Sequence, residues 1–277
     1  MDQSRVQPYD GMNVWDGVSG SSINIDGNAA GGTSQRTYSD ERTIAYMTEN
    51  NNLTSALVSR AHELGGITLL DNSRVESIDL GTNTEHLDLS SWPILRLSSD
   101  KTLAARLLIG ADGPNSLVRT FAGINSRGWD YDRHGVVGTL QLEQSGQYDA
   151  WEGQEHIAYQ RFLPTGPAAL LPLPDGHASL VWSTTPTHAA QLKKLSPEDM
   201  AAMINAAFRL SPVDLEYMHT MPHGQSDEFK WREQHTAFDR SIVPRKVTSI
   251  QSGSVASFPL RMRHADTYTG ERVALVG

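Results

Sequence analysis

The 277-residue chain has no cysteine, which excludes disulfides, thiolate metal sites and cysteine nucleophiles together. Positive charge is also short. Lys and Arg number 23 against 32 Asp and Glu, and the net charge of -9 with no basic stripe argues against nucleic acid, whose phosphates need Lys and Arg to neutralise them. Aromatic residues make up only 7%, and Trp129, Tyr131, Trp151 and Trp231 are too scattered to form a base-stacking platform. No window approaches the roughly 18 apolar residues of a membrane span; the longest apolar stretches, such as residues 168–173, are short and bounded by Pro. Gly-x-Ser-x-Gly and phosphate-loop sequences are missing, so hydrolase and nucleoside-triphosphatase readings drop out. The opening Met1-Asp2-Gln3-Ser4 is neither an apolar secretory signal nor an Arg-rich transit peptide. His219 and His223 are four apart, but Pro222 interrupts any helix that would align them, and no metal site is expected.

What is present suits a soluble α/β protein, since 38% hydrophobic residues suffice for a packed core in one large domain or two ordinary ones. Residues 11–25 read as a hairpin around Asp16-Gly17 and Gly20, and the Gly-, Asn- and Ser-rich residues 26–42 as a surface loop. Leu53, Leu57, Val58, Ala61 and Leu64 recur at helical spacing, and Gly65-Gly66 predicts the stop. Strands are predicted over 67–70, 75–80 and 94–97, with a parallel strand covered on both faces over 103–109. Beyond residue 128 come short strands over 136–142, 157–162, 168–173 and 178–183, forming a mixed or antiparallel sheet. Ser196-Pro197-Glu198-Asp199 opens a helix whose apolar face is Met200, Met203, Ile204, Ala207 and Phe208. Strands over 255–260 and 273–276 follow.

The sharpest local signal is residues 107–119, an apolar strand followed by Gly110-Ala111-Asp112-Gly113 and then Ser116 and Arg119. Strand ends of open α/β sheets face the ligand crevice. A carboxylate there can accept hydrogen bonds from sugar-type hydroxyls, and Gly113 permits close backbone approach. The plainer alternative is an Asp-Gly turn after a strand.

This stretch resembles the Asp-Gly motif of the para-hydroxybenzoate hydroxylase-like flavin monooxygenases. Further stretches resemble the coenzyme Q branch of that family in the same order: Met12-Asn13-Val14-Trp15-Asp16, Glu49-Asn50, Arg161-Phe162-Leu163-Pro164 through Leu173 with Val181-Trp182-Ser183, then Phe258-Pro259-Leu260 and Arg272 to Gly277. The resemblance implies an α/β fold, a partial glutathione-reductase-like FAD-binding domain with a mixed-sheet substrate domain of α+β type. The implied division is a substrate-domain hairpin and loop at 1–42, an FAD-binding segment at 43–127, the substrate domain at 128–265 and a returning FAD segment at 266–277.

It further implies FAD as cofactor, with Asn50, Asp112, Gly113, Arg119 and Gly277 as cofactor-binding residues. Trp15, Phe162, Leu171 and Pro259 are expected at the substrate pocket. The implied reaction is hydroxylation of a polyprenylated phenol or benzoate in ubiquinone biosynthesis, using molecular oxygen and electrons from NAD(P)H or a ferredoxin. A mitochondrial home is implied, peripheral to the inner membrane on the matrix side, within a complex of biosynthetic proteins. No catalytic side chain is assigned. A hydroxylase of a soluble phenol and a non-catalytic truncated product acting only as a complex partner are the alternatives. The sequence departs from the family pattern in having no Gly-x-Gly-x-x-Gly turn and in stopping at Gly277, where an Asp is expected, so this chain alone is expected to be inactive.

Overall fold

Period-two alternation and well-placed turn residues account for most of the strands. The structure, a computed structural model, describes residues 1–26, 43–144, 156–238 and 242–277; most of the loop expected at 26–42 therefore lies outside the described residues. In chain order the first elements are β1 (Val6–Tyr9), β2 (Gly11–Asp16), β3 (Ser22–Asp26), β4 (Ala45–Thr48) and α1 (Asn50–Leu64). Then come β5 (Val75–Leu80), β6 (Pro93–Leu97), β7 (Thr102–Ala104), β8 (Leu108–Gly110) and α2 (Leu117–Phe121). The long strand β9 (Ser126–Leu142) leads to β10 (Ile157–Leu163), β11 (Gly166–Pro172) and β12 (His177–Thr184). Four helices follow, α3 (Pro186–Leu192), α4 (Pro197–Arg209), α5 (Pro212–Thr220) and α6 (Gln225–His235), and the chain closes with β13 (Val247–Ile250), β14 (Ala256–Ala265), β15 (Thr269–Gly270) and β16 (Val273–Leu275).

Two compact units emerge. The first comprises Met1–Leu64 and Asp132–Leu260, the second Gly65–Tyr131 and Arg261–Gly277. Residues 43–64 thus group with the hairpin strands, whereas the sequence placed them with the FAD-binding segment. The physical tie is Asn52, whose side chain accepts from the Asp2 amide at 3.0 Å and donates to the Asp2 carbonyl and Thr48 Oγ1, both at 2.9 Å, while β1 pairs with β4.

The first unit is built on a mixed sheet of order β13-β9-β12-β11-β10-β2-β3, with β14 pairing β9. All its pairings on that path are antiparallel except β2 with β10. The register sets Trp15 beside Arg161, Arg161 beside Ala168, Ala168 beside Trp182 and Trp182 beside Val136, one row of five buried residues on a single face. Helices cover that face. Ser196 caps α4 by accepting from the Asp199 amide, Pro197 fits the first turn where no amide donor is needed, and every residue from Met200 to Arg209 is buried. The buried Arg161 guanidinium, 6% exposed, donates to the Ala207 carbonyl near the end of α4 at 3.0 Å and to the Gly17 carbonyl at 3.4 Å. Farther along, His188 of α3 and His219 of α5 stack at 3.8 Å between ring centroids, with His219 Nδ1 2.9 Å from Gln191 Oε1. Burial and the neighbouring His188 push the His219 imidazole down to about 3.

The second unit holds two three-stranded sheets, β5-β6-β7 and β15-β16-β8. The apolar run 103–109, expected as one strand covered on both faces, divides between them. The Ala105 amide bonds the Pro93 carbonyl beside β6, and the Leu108 amide then bonds Arg272 beside β16. Only one face of β8 is covered, since Leu108 is buried while Leu107 and Ile109 are exposed. Residues 67–70 form no strand, because no described strand pairs with them. The predicted helix is present as α1 and ends before Gly65 and Gly66, both at positive φ, yet Leu53, Leu57, Val58 and Leu64 are exposed and Asn52 is its one buried residue.

Candidate functional site

At the end of β8 the chain turns through Asp112-Gly113 into α2. The Asp112 carboxylate accepts from Ser116 Oγ at 2.5 Å, from the Leu117 amide at 2.8 Å and more weakly from the Val118 amide at 3.4 Å. Ser116 Oγ in turn accepts from the Arg119 amide at 2.9 Å, so aspartate and serine together satisfy the free amides of the helix start. Burial alone would raise the Asp112 carboxyl, but the Ser116 hydroxyl and the backbone amides outweigh it and hold the group below the usual carboxylate range. The plain Asp-Gly turn is thus realised, with the carboxylate directed at its own helix.

Two glycines have distinct duties here. A Cβ on Gly110 would lie 2.8 Å from Val118 Cβ, so its absence lets α2 close against the strand. Gly113 has φ +82° and nothing within 4 Å of where a Cβ would be, leaving its backbone open to a ligand. Parallel pairing sets Leu275 beside Gly110, and the Val276 amide donates to the Gly110 carbonyl at 2.9 Å. Gly277 therefore leaves β16 at the same sheet end as Asp112 and Gly113. Arg119 donates to the Ile124 carbonyl at 3.1 Å and so ties off the far end of α2. Asp112, Gly113, Arg119 and Gly277 come together in the second unit, while Asn50, the exposed first residue of α1, lies in the first. The open glycine backbone beside the end of two parallel strands fits a dinucleotide such as FAD.

In the first unit, the sheet face away from the helices carries Phe162, 46% exposed, and the half-buried Leu171. Phe258 packs over Gly135, its ring 3.2 Å from where a Cβ would be, and Pro259 beside it is exposed. Trp15, also expected at the pocket, lies on the other face of the sheet. One residue from Asp16, the partner of Phe162, it faces the helices and packs against Phe208 with ring centroids 5.9 Å apart.

A cleft of about 150 Å³ opens in the same unit, lined by Ser4, Arg5, Glu49, Thr139, Leu173 and His177. Asp175 and Gln251 line it as well. The volume is enough for one aromatic ring, but the cleft is open to solvent and lined mainly by polar side chains. Arg5 and Glu49 form an ion pair across the β1 and α1 ends. Phe162, Leu171 and Pro259 do not line this cleft; Leu171 lines a smaller cavity of about 20 Å³ beside Ile157 and Tyr159. Sequence reasoning missed Arg5, Thr139, His177 and Gln251, which carry no local pattern and meet only through the fold. Among the described residues, no group of three or more His, Asp or Glu side chains is placed to hold a metal.

Comparison with known proteins bears on this arrangement. The FAD binding domain family matches residues 17–277. The mitochondrial ubiquinone biosynthesis monooxygenase COQ6 of Schizosaccharomyces pombe is 37% identical over 99% of the chain, and its Saccharomyces cerevisiae counterpart 36% identical over 99%. Human COQ6 is 32% identical over 99%. The chain spans about half the length of these relatives, 54–56%. Among solved structures, PqsL of Pseudomonas aeruginosa, a probable FAD-dependent monooxygenase, superposes with TM-score 0.63 at 16% identity, covering 99% of this chain and 61% of PqsL. The p-nitrophenol 4-monooxygenase PnpA of Pseudomonas putida superposes with TM-score 0.60 at 14% identity, covering 99% of this chain and 56% of PnpA; both likenesses concern the fold. With the Asp112 turn, the open Gly113 backbone and a match across nearly its whole length, the chain belongs to the FAD binding domain family.

Proposed function

We propose that the protein carrying this chain is an FAD-dependent monooxygenase that hydroxylates the aromatic ring of a polyprenylated phenol or benzoate in ubiquinone biosynthesis. The observation that carries the reading is the 37% identity to a ubiquinone biosynthesis monooxygenase over 99% of the chain. FAD, when bound, supplies the activation of molecular oxygen for such a hydroxylation. The residues of this chain hold and orient. Asp112 closes the turn that presents the Gly113 backbone, Arg119 fixes the end of α2 behind it, and Gly277 leads away from the same sheet end. Asn50, at the start of α1, is proposed as a further cofactor contact.

The ring-sized cleft is proposed to receive the aromatic head of the substrate, with Leu173 giving it an apolar wall. The exposed apolar Phe162, the half-buried Leu171 and the exposed Pro259 are proposed to meet the prenyl chain. The second unit is proposed to be part of the FAD-binding domain, and the sheet of the first to belong to the substrate domain. Electrons are proposed to come from NAD(P)H or a ferredoxin. The proposed place of work is the matrix side of the mitochondrial inner membrane, in a ubiquinone-biosynthesis complex; no helix among the described residues is long and apolar enough to cross a membrane.

The test is complementation. A yeast strain deleted for its own COQ6 should recover ubiquinone when given the gene that carries this sequence, and Asp112→Ala should cut both bound FAD and the recovery. Restored ubiquinone with undiminished FAD in the variant would remove Asp112 from the cofactor site, and no restoration would remove the reading itself.

A further inference from the structure

We propose that His177 makes the cleft of the first unit selective for aromatic rings bearing a hydroxyl, by accepting the hydrogen bond of that hydroxyl at Nε2; this rests on the reading that the cleft receives an aromatic ring. His177 is the first residue of β12 and lines the cleft beside Thr139 and Leu173. Its Nδ1 stands 3.2 Å from the Pro174 carbonyl oxygen. A carbonyl only accepts, so Nδ1 carries the proton, and in the neutral imidazole Nε2 is then a bare acceptor. Among the described residues Nε2 has no partner.

Some of the other polar groups of the cleft are already engaged, whereas the Asp175 carboxylate and the Gln251 side chain also line it. Arg5 and Glu49 hold each other, and Ser4 Oγ donates to Asp2 at 2.7 Å. The Thr139 amide and carbonyl are taken by Ser254 Oγ and the Gln251 amide, at 3.0 and 2.9 Å. An apolar ring entering against Leu173 would strip water from Nε2 and give nothing back, whereas a ring hydroxyl replaces that water with a donor. One neutral hydrogen bond of this kind is worth about fivefold in affinity.

The test uses the 277-residue chain with p-cresol and its methyl ether, two ligands of like shape of which only the first can donate. Calorimetry should give p-cresol about fivefold tighter binding than the ether. In His177→Asn, which keeps a donor for the Pro174 carbonyl but has no group where Nε2 stood, the two ligands should bind alike. His177→Gln, which returns an acceptor at that reach, should restore the preference and also serves if the Asn variant fails to fold. Thr139→Trp, filling the cleft, should abolish binding of both. A preference that survives His177→Asn, or equal binding of the two ligands by the wild-type chain, overturns the role of His177 while leaving a ring in the cleft. Binding undiminished by Thr139→Trp, or no binding of either ligand, overturns the cleft as a ring site and the inference with it.

Discussion

Two ionisable side chains make the folding of this chain sensitive to pH, over different ranges. Asp112 is held below its ordinary value of 3.8, so its contribution is present above that value and is lost as pH falls through the lower folded one. Asp112→Ala should therefore cost about 1 kcal/mol at pH 7, the usual size of a lost helix cap, with the difference from wild type shrinking below pH 3.8; urea midpoints at pH 7 and pH 3 check it. His219 is neutral in the folded chain down to about 3, against 6.5 unfolded, so stability is full above 6.5 and declines as pH falls toward 3. The slope from this one group reaches at most about 1.4 kcal/mol per pH unit, and His219→Gln should flatten the melting temperature profile between pH 6.5 and 4. Of these residues Asp112 was visible in the sequence because turn, cap and strand end are local. His219 drew notice only for its spacing from His223, and its burial was not legible because its partners His188 and Gln191 are about 30 residues away in the chain and meet it only through the packing of α3 on α5.

Among the elements, the β8 to α2 connection has the least room. Gly110→Ala would place a methyl 2.8 Å from Val118 Cβ and 3.0 Å from a Leu275 methyl, and overpacking of this kind should destabilise the chain by about 1–3 kcal/mol, read as a lowered denaturant midpoint with unchanged slope. Ile204 in α4 has no exposed surface, and Ile204→Ala should cost about 2–5 kcal/mol in the same measurement. Helices α1 and α4 were legible with their ends because Gly65-Gly66 and Ser196-Pro197 are strong local punctuation. The strand pattern after residue 128 was legible from the Gly, Pro and Asp-Gly turns that separate its short runs. The run 103–109 was misread because an apolar heptad says nothing about which partner each half will find, and the hydrogen bonds of Ala105 and Leu108 go to different sheets. Strands β1 and β4 were missed for a related reason, since neither Val6–Tyr9 nor Ala45–Thr48 alternates clearly and each is stabilised by the other. The cleft is the extreme case, with walls drawn from residues 4 to 251.

For the molecule as a whole, the exposed apolar side chains of α1 are a liability in water. Leu57 is 61% and Leu64 63% exposed on a helix otherwise joined to its unit through Asn52. Patches of this kind favour association, so the purified chain should self-associate with rising concentration in light scattering. Leu57→Glu should reduce that association while leaving the melting temperature unchanged.

Arg161 stands at the opposite extreme. Because one guanidinium binds the carbonyl of Gly17 and that of Ala207, the hairpin tip and the last turn of α4 share a single fastening, and neither can swing out without stranding a charge in the apolar layer beneath the sheet. A lysine has one point of attachment where this residue has several, so even a swap that preserves charge would leave one of the two carbonyls unserved and set the hairpin free of the helix.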